Sequence, residues 1–110
     1  MPLKLCAEGK MVTACLIGEI DHHGAGKLRE EIDTMLERNH PDTLILDFRE
    51  VTFMDSSGIG MIIGRYKTMI ARGGCVSASG LRPPVDRLFH LAGLHRIIAI
   101  DKTEGWEIHE

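Results

Sequence analysis

The chain reads as a single α/β domain spanning residues 1–110, a mixed and mostly parallel β-sheet packed with helices. Two observations lead there. The sequence opens with two extended, apolar-rich runs, Leu3 to Glu8 and Met11 to Ile20, separated only by Gly9-Lys10. After them, segments of helical periodicity alternate with short apolar runs, the signature of strands joined by crossover helices. The first strand then pairs as a hairpin and the later ones in parallel.

From Gly24 to Arg38, Leu28, Ile32, Met35 and Leu36 recur at helical spacing with Lys27, Arg29, Glu30, Glu31 and Glu37 between them. This is an amphipathic helix, and Pro41 cannot continue it. Thr43 to Phe48 is a nearly continuous apolar run of the kind found in strands covered on both faces, and Arg49 to Asp55 reads as a loop. A second helix is expected over Ser56 to Ala71, ended by Gly73-Gly74 and followed by a strand at Cys75 to Ser79. Its residues Ile59, Ile62, Ile63, Tyr66 and Ile70 fall on one stripe expected to be buried, with Ser57, Met61, Gly64 and Thr68 opposite. Past Pro83-Pro84 a third helix runs through Val85, Leu88, Phe89 and Leu91 to Gly93, and Ile97 to Ile100 forms a last strand. A short helix containing Trp106 is expected after Asp101.

Composition narrows the function classes. Among 110 residues, 13 basic and 16 acidic side chains give a formal charge of -3, which argues against affinity for a phosphate backbone. One Trp and one Tyr offer no stacking platform for bases. Cys6, Cys15 and Cys75 are odd in number, far apart and without a C-x-x-C pair, so they suggest neither a disulfide framework nor a thiolate metal site. The N-terminus reaches Glu8 before any apolar stretch long enough for a signal peptide. The longest nearly uncharged run, between Asp55 and Arg65, is short of a membrane span and is broken by three glycines. A cytoplasmic protein is expected, without direct nucleic-acid or membrane partners.

The informative stretch is Phe53-Met54-Asp55-Ser56-Ser57-Gly58-Ile59-Gly60, at a loop-to-helix junction. A Ser or Asp there ordinarily caps the helix, accepting a hydrogen bond from an unpaired N–H of the first turn. Capping does not explain glycines at 58, 60 and 64, since each interior helical glycine costs about 1 kcal/mol against Ala. Close approach of a backbone does, either the helix on its own sheet or an external protein on a smooth surface. Gly60 and Gly64, flanking Met61, favour the docked protein. A serine hydroxyl at that spot is also reachable by a kinase. A phosphate placed there would sit near the positive end of the helix dipole, tolerable to the fold. To a docked partner it would bring nearly two negative charges beside Asp55. The glycine spacing matches neither a dinucleotide fingerprint nor a G-x-x-x-x-G-K-[ST] loop. Asp21-His22-His23 is the other polar cluster. A metal-dependent phosphoesterase would need further ligands, and His40, His90, His95 and His109 show no ligand spacing with it. A solvated loop, with Asp21 starting the first helix or facing a partner's Arg, accounts for it without a metal.

These residues resemble a family. Gly18-Glu19-Ile20-Asp21-His22-His23, Phe53 to Gly60, Gly64-Arg65-Tyr66-Lys67, Arg87-Leu88-Phe89 and Ala92-Gly93-Leu94 are similar to the anti-sigma factor antagonists, or STAS domains, and most to those controlling the sporulation sigma factor of endospore-forming bacteria. The resemblance covers almost the whole chain and departs after His23, where Gly24-Ala25-Gly26 adds glycines. It implies a non-enzymatic binding protein without cofactor or metal. In its unphosphorylated form such a protein binds an ATP-dependent serine kinase that is also the anti-sigma factor, and so releases sigma. Phosphorylation inactivates it and a serine phosphatase restores it. The acceptor in the family's motif is the first serine, which matches Ser56. Asp21 and Ser57 match positions near the kinase, and the expected contact surface comprises Asp21, Asp55, Ser57, Gly58, Gly60 and Met61. Two rival readings are a STAS-type ligand-sensing or stress-signalling module, and a small phosphoesterase using Asp21, His22 and His23. Kinase pull-down separates the first, and metal-dependent turnover lost in His22→Ala the second.

Overall fold

The computed structural model describes residues 3–101. Five strands, β1 (Leu3–Glu8), β2 (Met11–Ile20), β3 (Thr43–Met54), β4 (Cys75–Ser79) and β5 (Ala99–Asp101), form one sheet in which sequence neighbours are also sheet neighbours. β1 runs antiparallel to β2, and every later pair is parallel. Parallel neighbours need a crossover. Helices α1 (His22–Asn39), α2 (Ser56–Ala71) and α3 (Pro83–Leu91) provide three of them, the last continuing through a short 3₁₀ turn at Leu94–Arg96. This is the α/β class expected, with the hairpin first.

The core occupies one face of the sheet. Register pairs Val12 with Leu44 and Val76, and Ala14 with Leu46 and Ala78, so these side chains point together under the helices and are buried. Phe48 continues the series and meets Phe89 of α3 edge to face, with ring centroids 6.3 Å apart. The other face carries Thr13, Cys15, Ile45, Asp47 and Ser77, all half-buried. The Thr43 to Phe48 run is therefore covered on one face, not on both. Its Thr43 and Asp47, both in the open series, are the residues that a fully covered strand would not hold.

Three boundaries differ from expectation. The segment expected as a loop between Arg49 and Asp55 is strand through Met54, because β2 is long enough to pair with it from Ile17–Glu50 to Ile20–Met54. Register shifts between Cys15 and Ile17 and between Gly18 and Glu19 put the buried residues at Phe48, Val51 and Met54, a spacing of three that hides the strand in the sequence. The last strand begins at Ala99 instead of Ile97, since the 3₁₀ turn takes up the chain before it. α1 starts two residues earlier than expected, at His22, directly behind its Asp21 cap. The expected helix at Trp106 lies outside the described residues.

On α2 the buried set is Gly58, Met61, Ile62, Arg65 and Met69, rotated from the expected isoleucine stripe. Ile59, Ile63 and Tyr66 are only partly buried against the core, and Ile70 is 48% exposed. The helix packs on both the sheet and α1, so its contact arc is wider than the stripe and includes Met61, expected to face outward. Arg72, just past the end of α2, ties the two helices by donating from Nη1 to the Leu36 carbonyl, 3.0 Å away, and pairing with Glu37.

Candidate functional site

Two strand-to-helix junctions lie side by side at one end of the sheet. β2 ends at Ile20, opposite Met54 of β3, and the Asp55 N–H donates to the Ile20 carbonyl at 3.2 Å. Asp21 and Asp55 follow, both with extended backbone, and each caps the helix that comes next. Asp21 Oδ1 accepts from the Gly24 N–H at 2.8 Å, and Asp55 Oδ1 from the Ser57 N–H at 2.8 Å. The positive ends of both helix dipoles therefore point to the same rim, as at the carboxyl ends of strands in open α/β sheets.

Asp55 is the cap of α2, so neither serine is needed for that job. Ser56 occupies the first helical position, is exposed, and has no hydrogen-bond role in the cap among the described residues. Ser57 is half-buried beside it. A phosphoryl group on Ser56 would lie at the helix N-terminus, where N–H groups and the dipole favour an anion, and would also face the Asp55 carboxylate.

The glycines divide by role. A Cβ on Gly58 would stand 2.4 Å from Met54 Cγ and 3.1 Å from Ile20 Cγ2, so Gly58 seats α2 on the ends of β2 and β3. Gly58 and Met61, both expected at the contact surface, are turned into the core. Gly60 and Gly64 have nothing within 4 Å of an added Cβ. They border a groove of about 530 Å³ between α1 and α2, together with His22, Ala25, Gly26, Arg29, Ser57, Met61 and Arg65. Met61 thus contributes to the groove from below, while Gly58 is closed off.

Sequence reasoning missed Arg29 and Arg65 as site residues. Arg65 is 7% exposed, with Nε 2.9 Å from Asp33 Oδ1 of α1. Burial lowers its pKa, Asp33 opposes that, and the charge of Arg29 adds to it. The available signal for Arg65 was its place in the Gly64-Arg65-Tyr66-Lys67 run, at i+4 from Met61 inside the most apolar of the described helices. His22 and His23 lie in the first turn of α1, while His90 and His95 stack on each other at α3, ring centroids 4.4 Å apart. Among the described residues no group of three or more His, Cys, Asp or Glu is placed to hold a metal ion. Nor is any described helix long and apolar enough to cross a membrane.

Comparisons with known proteins agree with this architecture. Residues 9–105 match the STAS domain family. The anti-sigma F factor antagonist of Paenibacillus polymyxa is 38% identical over 89 residues, covering 81% of this chain and 76% of that protein. The anti-sigma-B factor antagonist of Bacillus subtilis is 35% identical over 91 residues, 82% of each. Among solved structures, the antagonist SpoIIAA in its unphosphorylated form superposes with a TM-score of 0.80 at 29% identity, covering 92% of this chain and 89% of that one. Its phosphorylated form, from Bacillus, superposes with a TM-score of 0.72 at 28% identity, covering 92% of each. With one antiparallel and three parallel strand pairs, two Asp-capped junctions of which one bears serines, and matches over nearly its full length, the chain belongs to the STAS-domain family of anti-sigma factor antagonists.

Proposed function

We propose that this protein is a cytoplasmic anti-anti-sigma factor that acts by binding, not catalysis. Unphosphorylated, it docks on an anti-sigma factor that is also a serine kinase and displaces the sigma factor. Phosphorylation on Ser56 by that kinase, with ATP, breaks the complex, and a serine phosphatase restores the active form. The observation that carries this is the division of labour at the α2 junction. Asp55 caps the helix and leaves the exposed Ser56 hydroxyl free of structural duty. The contact surface we assign runs over Asp21, Asp55, Ser57 and Gly60, with Met61 beneath. Two charges added at Ser56 would be tolerated by the helix terminus but would oppose a partner packed against this rim.

The sigma factor we assign is the sporulation type, supported by the relative named for sigma F and by the Gly64-Arg65-Tyr66-Lys67 run. A stress-response role has support of its own from the relative named for sigma B, at 35% identity. Binding measured against both kinds of kinase separates them. The function itself is tested by incubation with the cognate kinase and ATP, followed by mass mapping. One phosphate at Ser56 is expected, with Ser56→Ala unmodified yet still binding and Ser56→Asp binding poorly. Modification confined to Ser57, or full binding by Ser56→Asp, refutes the assignment.

A further inference from the structure

The groove between α1 and α2 has a chemical character of its own. Small residues, Ala25 and Gly26 on one helix and Gly60 and Gly64 on the other, hold its walls apart. Its charged lining is cationic, Arg29 and Arg65, with His22 in the first turn of α1. Arg65 is 7% exposed, and its Nη1 is buried with no hydrogen-bond partner. Its Nε approaches Asp33 to 2.9 Å but is not aligned for a hydrogen bond, so the pair is held by charge alone. A buried guanidinium donor without an acceptor is costly, and a second arginine close enough for its charge to be felt adds to the cost. Asp33 offsets one of the two charges, and Arg29 has no ion-pair partner among the described residues.

We propose that this groove is an anion site that receives an acidic side chain, Asp or Glu, of the protein docking over Ser56. The proposal rests on the partner surface assigned above. Continuity supports it, because Ser57, Gly60 and Met61 belong both to that surface and to the groove lining. Chemistry supports it as well. The planar fork of an arginine matches a carboxylate, and an anion between Arg29 and Arg65 relieves their repulsion and compensates the charge that Asp33 leaves unmatched. The open glycine walls admit the backbone that carries such a side chain.

Calorimetric titration of the full chain with its anti-sigma factor kinase tests this. Arg29 is exposed, so its variants keep the fold, and an unchanged melting temperature checks that. Arg29→Glu is expected to weaken binding by about tenfold or more, Arg29→Lys to stay within about threefold, and the difference to shrink at high salt. Wild-type affinity in Arg29→Glu overturns the proposal. If the wild-type protein does not bind the kinase at all, it is the partner reading that fails, and the groove is then judged by titrating N-acetylglutamate into ¹⁵N-labelled protein. Shifts at the Gly26, Gly60 and Gly64 amides that vanish in Arg29→Glu uphold the site, and their absence in the wild type rejects it.

Discussion

Gly58 and Gly60 stand two residues apart on α2, alike in the sequence and opposite in their surroundings. An added methyl group at Gly58 runs into Met54 and Ile20, whereas one at Gly60 meets open groove. Gly58→Ala should therefore destabilise the protein by about 1–3 kcal/mol, the usual cost of overpacking. Gly60→Ala should stabilise it by about 0.4–1 kcal/mol, since alanine loses less backbone freedom in a helix, while weakening binding to the proposed kinase partner. Chemical denaturation of both variants, with binding measured on Gly60→Ala, checks the contrast. A Gly60→Ala protein that binds fully would remove this glycine from the contact surface. The sequence could show that three glycines in one helix need a reason, but not which reason belongs to which. That depends on Met54, whose burial follows from a strand the sequence did not reveal.

At the scale of elements, α2 and β3 show why some of the fold was legible and some was not. The existence of both could be read from apolar runs and from the Ser56–Ala71 periodicity. Their orientation could not. A helix lying on a sheet and against another helix buries more than one stripe, so Met61, Met69 and Arg65 are enclosed while Ile70 is left exposed. β3 is longer than its clean alternation because the bulged pairing with β2 breaks the period-two pattern after Phe48. The sheet's open face, also hidden from sequence, makes a prediction about the thiols. Cys15 lies on it 3.8 Å from Asp47 Oδ2, and burial, reinforced by that carboxylate, raises its pKa above the ordinary 9.0. Since the thiolate is the nucleophile, Cys15 should alkylate more slowly near neutral pH than the exposed Cys6 and Cys75. Its rate should keep climbing with pH beyond the ordinary thiol range. Peptide mapping after timed iodoacetamide treatment reads all three, and equal rates would contradict this placement. The sign for stability is also fixed. A thiol whose pKa is raised by folding favours the folded state below its unfolded pKa, and that contribution is lost as pH rises through the folded value.

Across the whole molecule, the two capped junctions behind β2 and β3 matter most. Alternating strands and helices made the α/β class readable. The parallel register then sets Asp21 beside Asp55, residues 34 positions apart in the chain, which only a folded sheet can do. Asp21 and Ser56 could be named as candidate site residues because a motif carried them. Arg65 stood in a motif without a role assigned to it and Arg29 in none, since the groove both residues line forms only when two helices pack face to face. The resulting end of the molecule presents two helix N-termini, a free serine hydroxyl and a glycine-walled groove. A phosphate added there leaves the buried face of the sheet untouched, so the proposed switch should act on binding while the fold persists. The direct measurement is the affinity of stoichiometrically Ser56-phosphorylated protein for the proposed anti-sigma factor kinase, taken beside the unmodified protein, with melting temperatures recorded for both. Phosphorylation is expected to cost about 100-fold or more in affinity, the scale of a like-charge contact in an interface, with the melting temperature nearly unchanged. Equal affinity of the two forms, or a loss of binding that tracks a loss of folding, would contradict the proposed switch.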